Sequence, residues 1–151
     1  MKILMVCLGN ICRSPLAEGI LQHKINENNL SYLVDSAGTA AYHVGNKPDL
    51  RSIAVAKKYG IDLTNQRARQ FQKSDFHKFD IIYAMDTENY TNICKLADSI
   101  EDSNKVKLIL NEITEGSNSS VPDPYYGGDN GFENVYQMLD IACSKVMENL
   151  R

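Results

Sequence analysis

A short apolar segment at the start of the chain constrains the fold most strongly. Residues Lys2–Cys7 read KILMVC, which predicts a strand that is buried on both faces. Gly9 and Asn10 end this run, and Ser14-Pro15 then have the pattern of a helix N-cap followed by the first helical residue. A buried strand that passes directly into a helix is typical of a parallel sheet covered by helices.

The rest of the chain repeats this alternation. The predicted helices are residues 14–28, 49–59, 87–97 and 130–150, and the further predicted strands are residues 32–35, 79–85 and 106–110. A loop rich in Ser, Pro, Gly and Asp covers residues 115–130, and Asn130 with Glu133 resembles a capping box. We therefore predict one α/β domain over residues 1–151, Rossmann-like, with a four-stranded parallel sheet and helices on both faces.

Composition excludes several classes of protein. The chain has 16 basic and 19 acidic residues and a formal net charge of −3, without the basic excess of a nucleic-acid-binding protein. No segment approaches the ~20 apolar residues of a membrane helix, and the first apolar run is shorter than the ~7–15 residues found in signal peptides. We expect a cytoplasmic protein, monomeric by default, that binds neither nucleic acid nor membrane.

The four cysteines lie at positions 7, 12, 94 and 143. They lack the paired C-x-x-C spacing of a zinc site and the three histidines do not cluster with them, so we expect no metal. Free thiols are the expected state in a reducing compartment. Cys94 and Cys143 fall on apolar helical stripes, where a cysteine is usually a small buried hydrophobe. Cys7 and Cys12 instead flank the loop between the first strand and the first helix.

This loop has the features of an anion-binding site. Free backbone N–H groups and the helix dipole at a helix N-terminus attract an anion. Gly9 and Asn10 tolerate the positive φ that would turn the loop amides inward. Cys7 lies in this positive field, which stabilises a thiolate. Arg13 can bind two oxygens of a tetrahedral anion through its planar guanidinium group, and Ser14 can donate a hydrogen bond to the thiolate.

Sequence spacing favours Cys7 over Cys12 as the nucleophile. Cys7 is followed six positions later by Arg13, whereas Cys12 is followed six positions later by Glu18, whose charge would repel a phosphate. We therefore predict that the thiolate of Cys7 attacks. Cys12 is expected to be a neighbour across the same loop, near enough to form a reversible disulfide with Cys7 when the protein is oxidised.

Two motifs carry a resemblance to a known family. The segment VCLGNICRSPLAE resembles the active-site signature of the low-molecular-weight protein tyrosine phosphatases, and VPDPYYGG resembles their second signature. The resemblance covers essentially the whole chain, with landmarks between the signatures at residues 35–39 and at Asp86, although Gln66 stands where several relatives carry histidine. It implies the phosphotyrosine phosphatase I type of fold, no cofactor, phosphotyrosine-containing proteins and small aryl phosphates as substrates, and inorganic phosphate as product.

The resemblance also implies roles for individual residues. Cys7 is the nucleophile that becomes a cysteinyl-phosphate, Arg13 binds the phosphoryl oxygens, and Asp123 is the general acid and base. Hydrogen bonds that hold the loop in shape are implied for Asn10, Ser14 and Ser36. The residues expected to bind phosphate or line the slot for the substrate ring are Leu8, Gly9, Asn10, Ile11, Cys12, Ser14, Tyr42, Tyr125 and Tyr126.

The chemistry of the leaving group supports Asp123 independently. A phenol has a pKa near ~10, so phenolate leaves poorly at neutral pH unless an acid protonates it. Asp123 lies in the long loop before the last helix, and functional residues concentrate in such loops. The adjacent Tyr125 and Tyr126 can stack on an aryl ring. The sequence therefore predicts that the carboxyl group of Asp123 lies over the pocket.

Other activities of the same loop remain open at this stage. An arsenate reductase of the superfamily would relay a disulfide through two further nearby cysteines, but Cys94 and Cys143 are far apart in sequence. Protein arginine phosphatases tend to carry Thr at the position of Ile11, so Ile11 favours phosphotyrosine. A phosphocysteine carrier needs the loop but no general acid, so Asp123 argues against it. A phosphopeptide-binding module without catalytic activity would not need Cys7, Arg13 and Asp123 together.

Overall fold

The computed structural model describes residues 1–128 and 130–150, and for Tyr126 it describes only the backbone. The strands are β1 (Lys2–Cys7), β2 (Leu33–Gly38), β3 (Ile81–Ala84) and β4 (Val106–Leu108). The α-helices are α1 (Arg13–Glu27), α2 (Leu50–Lys58), α3 (Asp75–Lys78), α4 (Thr87–Cys94), α5 (Ile100–Asn104) and α6 (Gly131–Leu150). Two 3₁₀ turns, Ile109–Glu112 and Pro124–Tyr126, lie between β4 and α6.

The strands form one parallel sheet in the order β2-β1-β3-β4. β1 is central, because it pairs with β2 as far as Cys7↔Gly38 and with β3 as far as Val6↔Ala84. The chain leaves β1 first toward one side of the sheet and later toward the other, so the carboxyl end of β1 is a topological switch point. Ligands of open α/β sheets bind at such points. The predicted four-stranded parallel α/β fold is confirmed.

Side chains of β1 alternate between two cores. The odd-numbered residues from Ile3 to Cys7 pack with helices α1, α2 and α6. The even-numbered Leu4 and Val6 face the opposite core, which includes side chains of α3 and α4. Helices therefore cover both faces of the sheet, and the doubly buried strand that the apolar run predicts is present.

Helix α6 extends the first core. Its buried face includes Val135, Leu139 and Val146, and its Tyr136 ring stacks on that of Tyr59, the C-cap residue of α2, with centroids 4.2 Å apart. The carboxylate of Glu133 pairs with Lys58 at the end of α2, so it ties α6 to α2. The capping box of Asn130 and Glu133 stays a prediction. Within residues 1–128 and 130–150, no helix combines the length and the apolar character that a bilayer crossing requires.

Several boundaries differ from the sequence predictions. β2 continues to Gly38, because its pairing with β1 extends to the end of that strand. β3, β4 and α4 are shorter than predicted, and α3 and α5, of four and five residues, have no counterpart in the predictions. Helix α1 begins at Arg13 with Cys12 as its N-cap residue. Ser14, the predicted N-cap, is therefore the second residue of the helix, and its hydroxyl group contacts Asn10 and Cys7.

Candidate active site

The loop of residues 8–12 curls so that its carbonyl groups face the protein. The carbonyl oxygens of Cys7, Leu8 and Ile11 accept hydrogen bonds of 2.8 or 2.9 Å from the backbone amides of Thr39, Ala40 and Asp49. For the backbone amides of residues 8–12 themselves, the described residues offer no acceptor. These N–H groups, together with the N-terminus of α1, are therefore available to an anion.

Backbone conformation and close packing give the loop its shape. Asn10 has a φ of 58°, in the left-handed region that asparagine tolerates. Gly38 lies against the loop, since a Cβ there would stand 2.7 Å from the Leu8 carbonyl oxygen. Gly9 does not have the positive φ that its residue type allows. A Cβ on Gly9 would lie 3.0 Å from the ring of His43, so a larger residue there would require this ring to move.

A hydrogen-bonded relay reaches Cys7 from behind the loop. The backbone amide of Arg69 donates to Asn10 Oδ1 at 3.0 Å, which fixes the orientation of the Asn10 amide group. Asn10 Nδ2 donates to Ser14 Oγ at 2.8 Å and to Ser36 Oγ at 2.9 Å. Ser14 Oγ lies 3.0 Å from Cys7 Sγ. The side chains of Asn10 and Ser14 are thus buried behind the loop and do not line the pocket, although they were predicted among the substrate-binding residues.

Arg13 is anchored by groups distant in sequence. Its Nη1 donates to Asp86 Oδ2 at 2.6 Å and to the carbonyl oxygen of Val121 at 3.0 Å. Asp86 is held in turn as the N-cap residue of α4, where it accepts from the amide of Asn89 at 2.7 Å. Nε and Nη2 of Arg13 have no partner among the described residues. The guanidinium group therefore has one anchored end and one end that can bind an anion.

A cavity of about 270 Å³ opens in front of Cys7. It is lined by Cys7, Leu8, Gly9, Ile11, Cys12, Arg13, Tyr42, His43, Asp123 and Tyr125. Its volume lies just below the ~300–1,000 Å³ of sites for drug-sized ligands, so it suits a phosphate group and one ring. A larger hollow of about 1070 Å³ lies between β4 and the end of α6, away from all of these residues.

Most of the predicted pocket residues line the cavity, together with one residue that was not predicted. His43, which the sequence analysis does not single out, lines the cavity and packs against Gly9. Its position beside Tyr42 is the one signal in the sequence that could have indicated this. The side chain of Tyr126 lies outside the described residues, so its predicted place at the ring slot stays a prediction.

Asp123 reaches the cavity from the loop before α6. Val121 ties this loop to the sheet, since its amide donates to the Met85 carbonyl oxygen at 2.7 Å. The carbonyl oxygen of Val121 accepts from the guanidinium group of Arg13. Asp123 then caps the 3₁₀ turn Pro124–Tyr126 by accepting from the amide of Tyr125 at 3.0 Å. The carboxyl group is thereby held at the same cavity as Cys7 Sγ.

Arg51, which the sequence analysis does not single out, packs beside the cavity. Its guanidinium carbon lies 5.0 Å from the ring centroid of Tyr125 and 4.6 Å from that of Phe132. An ion pair with Asp49 at 3.0 Å orients the same guanidinium group. Tyr125 is 51% exposed and Tyr42 is 75% exposed, so both rings keep surface for a ligand.

Cys12 is placed very differently from a reactive thiol. Burial raises the pKa of Cys12 to about 12, and the nearby Asp49, Cys7 and Asp123 act in the same direction. Cys12 therefore remains a protonated thiol at neutral pH, and a thiol is a poor nucleophile. This environment supports the choice of Cys7. Both residues are free thiols in the structure, so the reversible disulfide between them stays a prediction.

Comparison with known proteins identifies the family. The family model described as low molecular weight phosphotyrosine protein phosphatase matches residues 2–151. The chain belongs to this phosphatase family. The family member from Schizosaccharomyces pombe is 43% identical over 145 residues, which cover 93% of this chain and 92% of that protein. Membership confirms the enzyme class predicted from the sequence, a protein-tyrosine-phosphatase.

Solved structures agree with this assignment. A protein tyrosine phosphatase from Entamoeba histolytica superposes with a TM-score of 0.92 at 39% identity, covering 99% of this chain and 96% of that chain. A Drosophila arginine phosphatase superposes with a TM-score of 0.92 at 33% identity, covering 100% of this chain and 98% of that chain. The fold is therefore shared by phosphatases named for two different residues, tyrosine and arginine.

Gln66 stands at a position where several relatives are expected to carry histidine. Its Nε2 donates to the carbonyl oxygen of Pro15 at 3.1 Å, so the side chain lies against α1. Its Oε1 is buried and has no partner among the described residues. Gln66 and Glu18 line the same hollow of about 420 Å³.

Proposed function

We propose that this phosphatase hydrolyses phosphotyrosine in proteins, and small aryl phosphates, through a cysteinyl-phosphate on Cys7. The observation that carries the proposal is the convergence of Cys7, Arg13 and Asp123 on one cavity bounded by a loop with free backbone amides. A nucleophile, an anion clamp and an acid are the three groups that transfer of a phosphoryl group from a phenol requires. Residues 1–151 act as one phosphatase domain.

In the first step, the thiolate of Cys7 attacks phosphorus in line with the tyrosyl oxygen. The P–S bond forms as the P–O bond to tyrosine breaks, and Asp123 donates its proton to the leaving oxygen. The loop amides and the free end of the Arg13 guanidinium group bind the three equatorial oxygens. Ser14 Oγ lies 3.0 Å from Cys7 Sγ and 3.5 Å from the Ala37 carbonyl oxygen, and it donates its hydrogen to the nearer sulfur, because a thiolate can only accept.

In the second step, water replaces sulfur on phosphorus. Asp123, now a carboxylate, takes a proton from the attacking water. The P–S bond breaks, the Cys7 thiolate is restored and inorganic phosphate leaves. No step requires a metal ion, because the loop amides and Arg13 supply the positive charge that a metal often provides in phosphoryl transfer.

Phosphoarginine is a second candidate substrate. The Drosophila protein whose structure matches this chain over its whole length is named an arginine phosphatase. Against this, the chain has Ile11 where arginine phosphatases tend to carry threonine, and Ile11 lines the cavity together with the exposed rings of Tyr42 and Tyr125. These apolar and aromatic surfaces favour a flat aryl ring, so phosphotyrosine is preferred.

A panel of phosphopeptides tests the substrate. One peptide sequence carrying phosphotyrosine, phosphoserine or phosphoarginine is incubated with the purified chain, and phosphate release is measured in buffer without metal or thiol relay proteins. We expect kcat/KM to be highest for phosphotyrosine. Faster release from phosphoarginine would make the chain an arginine phosphatase, and no release from any of the three would remove the proposed hydrolysis altogether.

Arg13→Lys should lower kcat/KM by roughly 10²–10³-fold, the cost of losing one group that stabilises transition-state charge. Lysine keeps the charge but is a single point donor, so it cannot hold Asp86 and Val121 with one end and phosphate with the other. The assay is kcat/KM with p-nitrophenyl phosphate and the inhibition constant of inorganic phosphate. Arg67→Lys, at an exposed arginine, is the matched control and should behave as wild type. Near wild-type kinetics in Arg13→Lys would show that a guanidinium group with two binding ends is not needed.

The remaining predictions from the sequence concern the cell. Cytoplasmic location, the monomeric state and redox control through Cys7 and Cys12 stay predictions. The free thiol of Cys12 borders the same cavity as Cys7, which is the arrangement such control would need. An arsenate reductase relay would need further cysteines nearby, but Cys143 is wholly buried in the α6 core.

A further inference from the structure

The side chain of Arg51 is fixed to the first turn of α2 by a carboxylate. Its Nε donates to Asp49 Oδ1 and its Nη2 donates to Asp49 Oδ2, both at 3.0 Å. Asp49 also caps α2, because its Oδ1 accepts from the backbone amide of Arg51 at 2.8 Å. A two-point pair of this kind holds a guanidinium group in one orientation. The start of α2 therefore sets the orientation of the Arg51 guanidinium group.

The same helix start is bonded to the catalytic loop. The backbone amide of Asp49 donates to the carbonyl oxygen of Ile11 at 2.8 Å, and Ile11 lines the cavity. Burial alone would raise the pKa of Asp49, but its hydrogen bonds with Arg51 outweigh burial and lower that pKa. The Asp49 carboxylate thus stays ionised at neutral pH, and its pair with Arg51 persists there. The guanidinium group consequently has a fixed position relative to the loop that binds phosphate.

The Arg51 guanidinium group also contacts the part of the site that carries the acid. Its carbon lies 5.0 Å from the ring centroid of Tyr125 and 4.6 Å from that of Phe132. Both distances lie within the ~6 Å over which an aromatic face attracts a cation. Phe132 is buried at the start of α6, whereas the ring of Tyr125 is half exposed. The attraction therefore gives the Tyr125 ring a preferred position against α2.

The position of Tyr125 is linked to the position of Asp123. The backbone amide of Tyr125 donates to Asp123 Oδ1 at 3.0 Å, and both side chains line the cavity. A displacement of Tyr125 would move this amide and, with it, the carboxyl group that the amide orients. The preceding part of the loop is held separately, because the Val121 carbonyl oxygen accepts from Arg13. Arg51 thus acts on the part of the loop that follows Asp123.

We propose that Arg51 is a positioning residue for the proposed reaction, which holds Tyr125 so that the carboxyl group of Asp123 stays within reach of the leaving oxygen. The inference rests on the proposed function for its kinetic readout. Arg51 joins two parts of the site that are distant in sequence, the loop that binds phosphate and the turn that follows the acid. Loss of the Arg51 side chain should therefore misplace the proton donor.

The leaving group provides a readout that a loss of stability does not change. Phenolate needs the proton of Asp123, whereas p-nitrophenolate leaves more easily without it. The ratio of kcat/KM for p-nitrophenyl phosphate to kcat/KM for phenyl phosphate therefore rises when the acid is misplaced. A smaller fraction of folded enzyme lowers both values equally and leaves the ratio unchanged. Later hydrolysis of the cysteinyl-phosphate does not enter kcat/KM.

The test compares wild type with Arg51→Met and Arg51→Lys. Methionine keeps an unbranched apolar side chain but has no charge, and the charge that Asp49 then retains acts on both substrates alike. Lysine keeps the charge, but its ammonium group lacks the planar arrangement that pairs with both Asp49 oxygens. Asp49 can keep its cap bond with the backbone amide of residue 51, so both variants should fold. Lys57→Met, which removes an exposed charge from the same helix, is the matched control.

We expect Arg51→Met to raise the ratio roughly 3- to 10-fold over wild type, the size of one or two exposed cation–π contacts. Arg51→Lys should raise the ratio less, because a cation remains beside the rings. Lys57→Met should follow wild type. In a Tyr125→Leu background, Arg51→Met should leave the ratio unchanged, because the effect is transmitted through the Tyr125 ring.

A fluorescence measurement tests the ring contact without any turnover. The chain contains no tryptophan, so Tyr125→Trp introduces a single indole at the ring position. Indole is the aromatic ring that attracts a cation most strongly. Time-resolved fluorescence anisotropy reports the fast motion of this indole. We expect the motion to increase when Arg51→Met is added and to stay unchanged when Lys57→Met is added.

Three results would overturn the inference. A wild-type ratio in Arg51→Met would show that Arg51 does not position the acid. A rise that is undiminished in the Tyr125→Leu background would show that Tyr125 does not transmit the effect. Unchanged indole motion would show that Arg51 does not hold the ring. Absence of turnover of both phosphates in wild type would instead remove the proposed function, and the anisotropy measurement would still test the contact.

Discussion

Cys7→Ser is expected to lower kcat for aryl phosphates by at least ~10⁴-fold, the scale found when a catalytic nucleophile is removed. A serine hydroxyl group is not ionised at neutral pH, and the Ser14 hydroxyl group 3.0 Å from Cys7 Sγ is too weak a base to remove its proton. The fold should persist, because Cys7 lies at the end of β1 and the smaller oxygen fits its site. Turnover with p-nitrophenyl phosphate and circular dichroism check the two parts of this prediction.

Cys12→Ser is the matched control for this substitution. Cys12 lines the same cavity, but its thiol remains protonated at neutral pH because burial and nearby carboxylates raise its pKa to about 12. The variant should therefore keep most of the wild-type kcat. Loss of activity in Cys12→Ser with activity retained in Cys7→Ser would reverse the assignment of the nucleophile.

Asp123→Asn is expected to lower the rate of phosphoryl transfer by ~10²–10⁴-fold for poor leaving groups, the usual contribution of a general acid. The proton of Asp123 is needed only as the bond to the leaving oxygen breaks, so substrate binding should be little affected. The loss should be large for phosphotyrosine and phenyl phosphate, whose phenolates leave poorly. It should be smaller for p-nitrophenyl phosphate, whose anion leaves more easily.

The measurement is kcat for wild type and Asp123→Asn over aryl phosphates of graded leaving-group pKa. Burst kinetics identify the step that limits turnover. The variant should show a steeper dependence on leaving-group pKa than wild type. Equal slopes for the transfer to Cys7 would mean that Asp123 is not the acid, and another carboxylate such as Asp86 would then have to be tested.

Much of the fold and of the candidate site could be predicted from the sequence, because the residues concerned lie close together along the chain. The first strand–helix unit contains Lys2–Cys7, the loop residues and Arg13. The end of its strand positions the nucleophile, and the N-terminus of its helix forms the anion site. Their meeting needs no long-range contact. Element ends were less predictable, since β2 extends to Gly38 only because it pairs with β1.

Long-range contacts account for what the sequence did not reveal. Asp86 anchors Arg13 across 73 positions, and Glu18 meets Ser36 across 18, at spacings that have no periodic signature. Residue 38 must be glycine because the loop passes close over it, and the sequence of β2 alone cannot indicate this contact. His43 likewise reaches the cavity through the path of its loop. Each of these residues depends on tertiary packing for its position.

The most direct test of the account is to trap the phosphoryl group on the enzyme. Asp123→Asn should form the intermediate from p-nitrophenyl phosphate but hydrolyse it slowly, because water then lacks its base. The reaction is quenched in acid during the burst and the peptides are mapped by mass spectrometry. The account predicts one phosphoryl group on Cys7, absent from the Cys7→Ser variant. A burst of p-nitrophenol with the phosphoryl group on another residue, or with none on the protein, would contradict it.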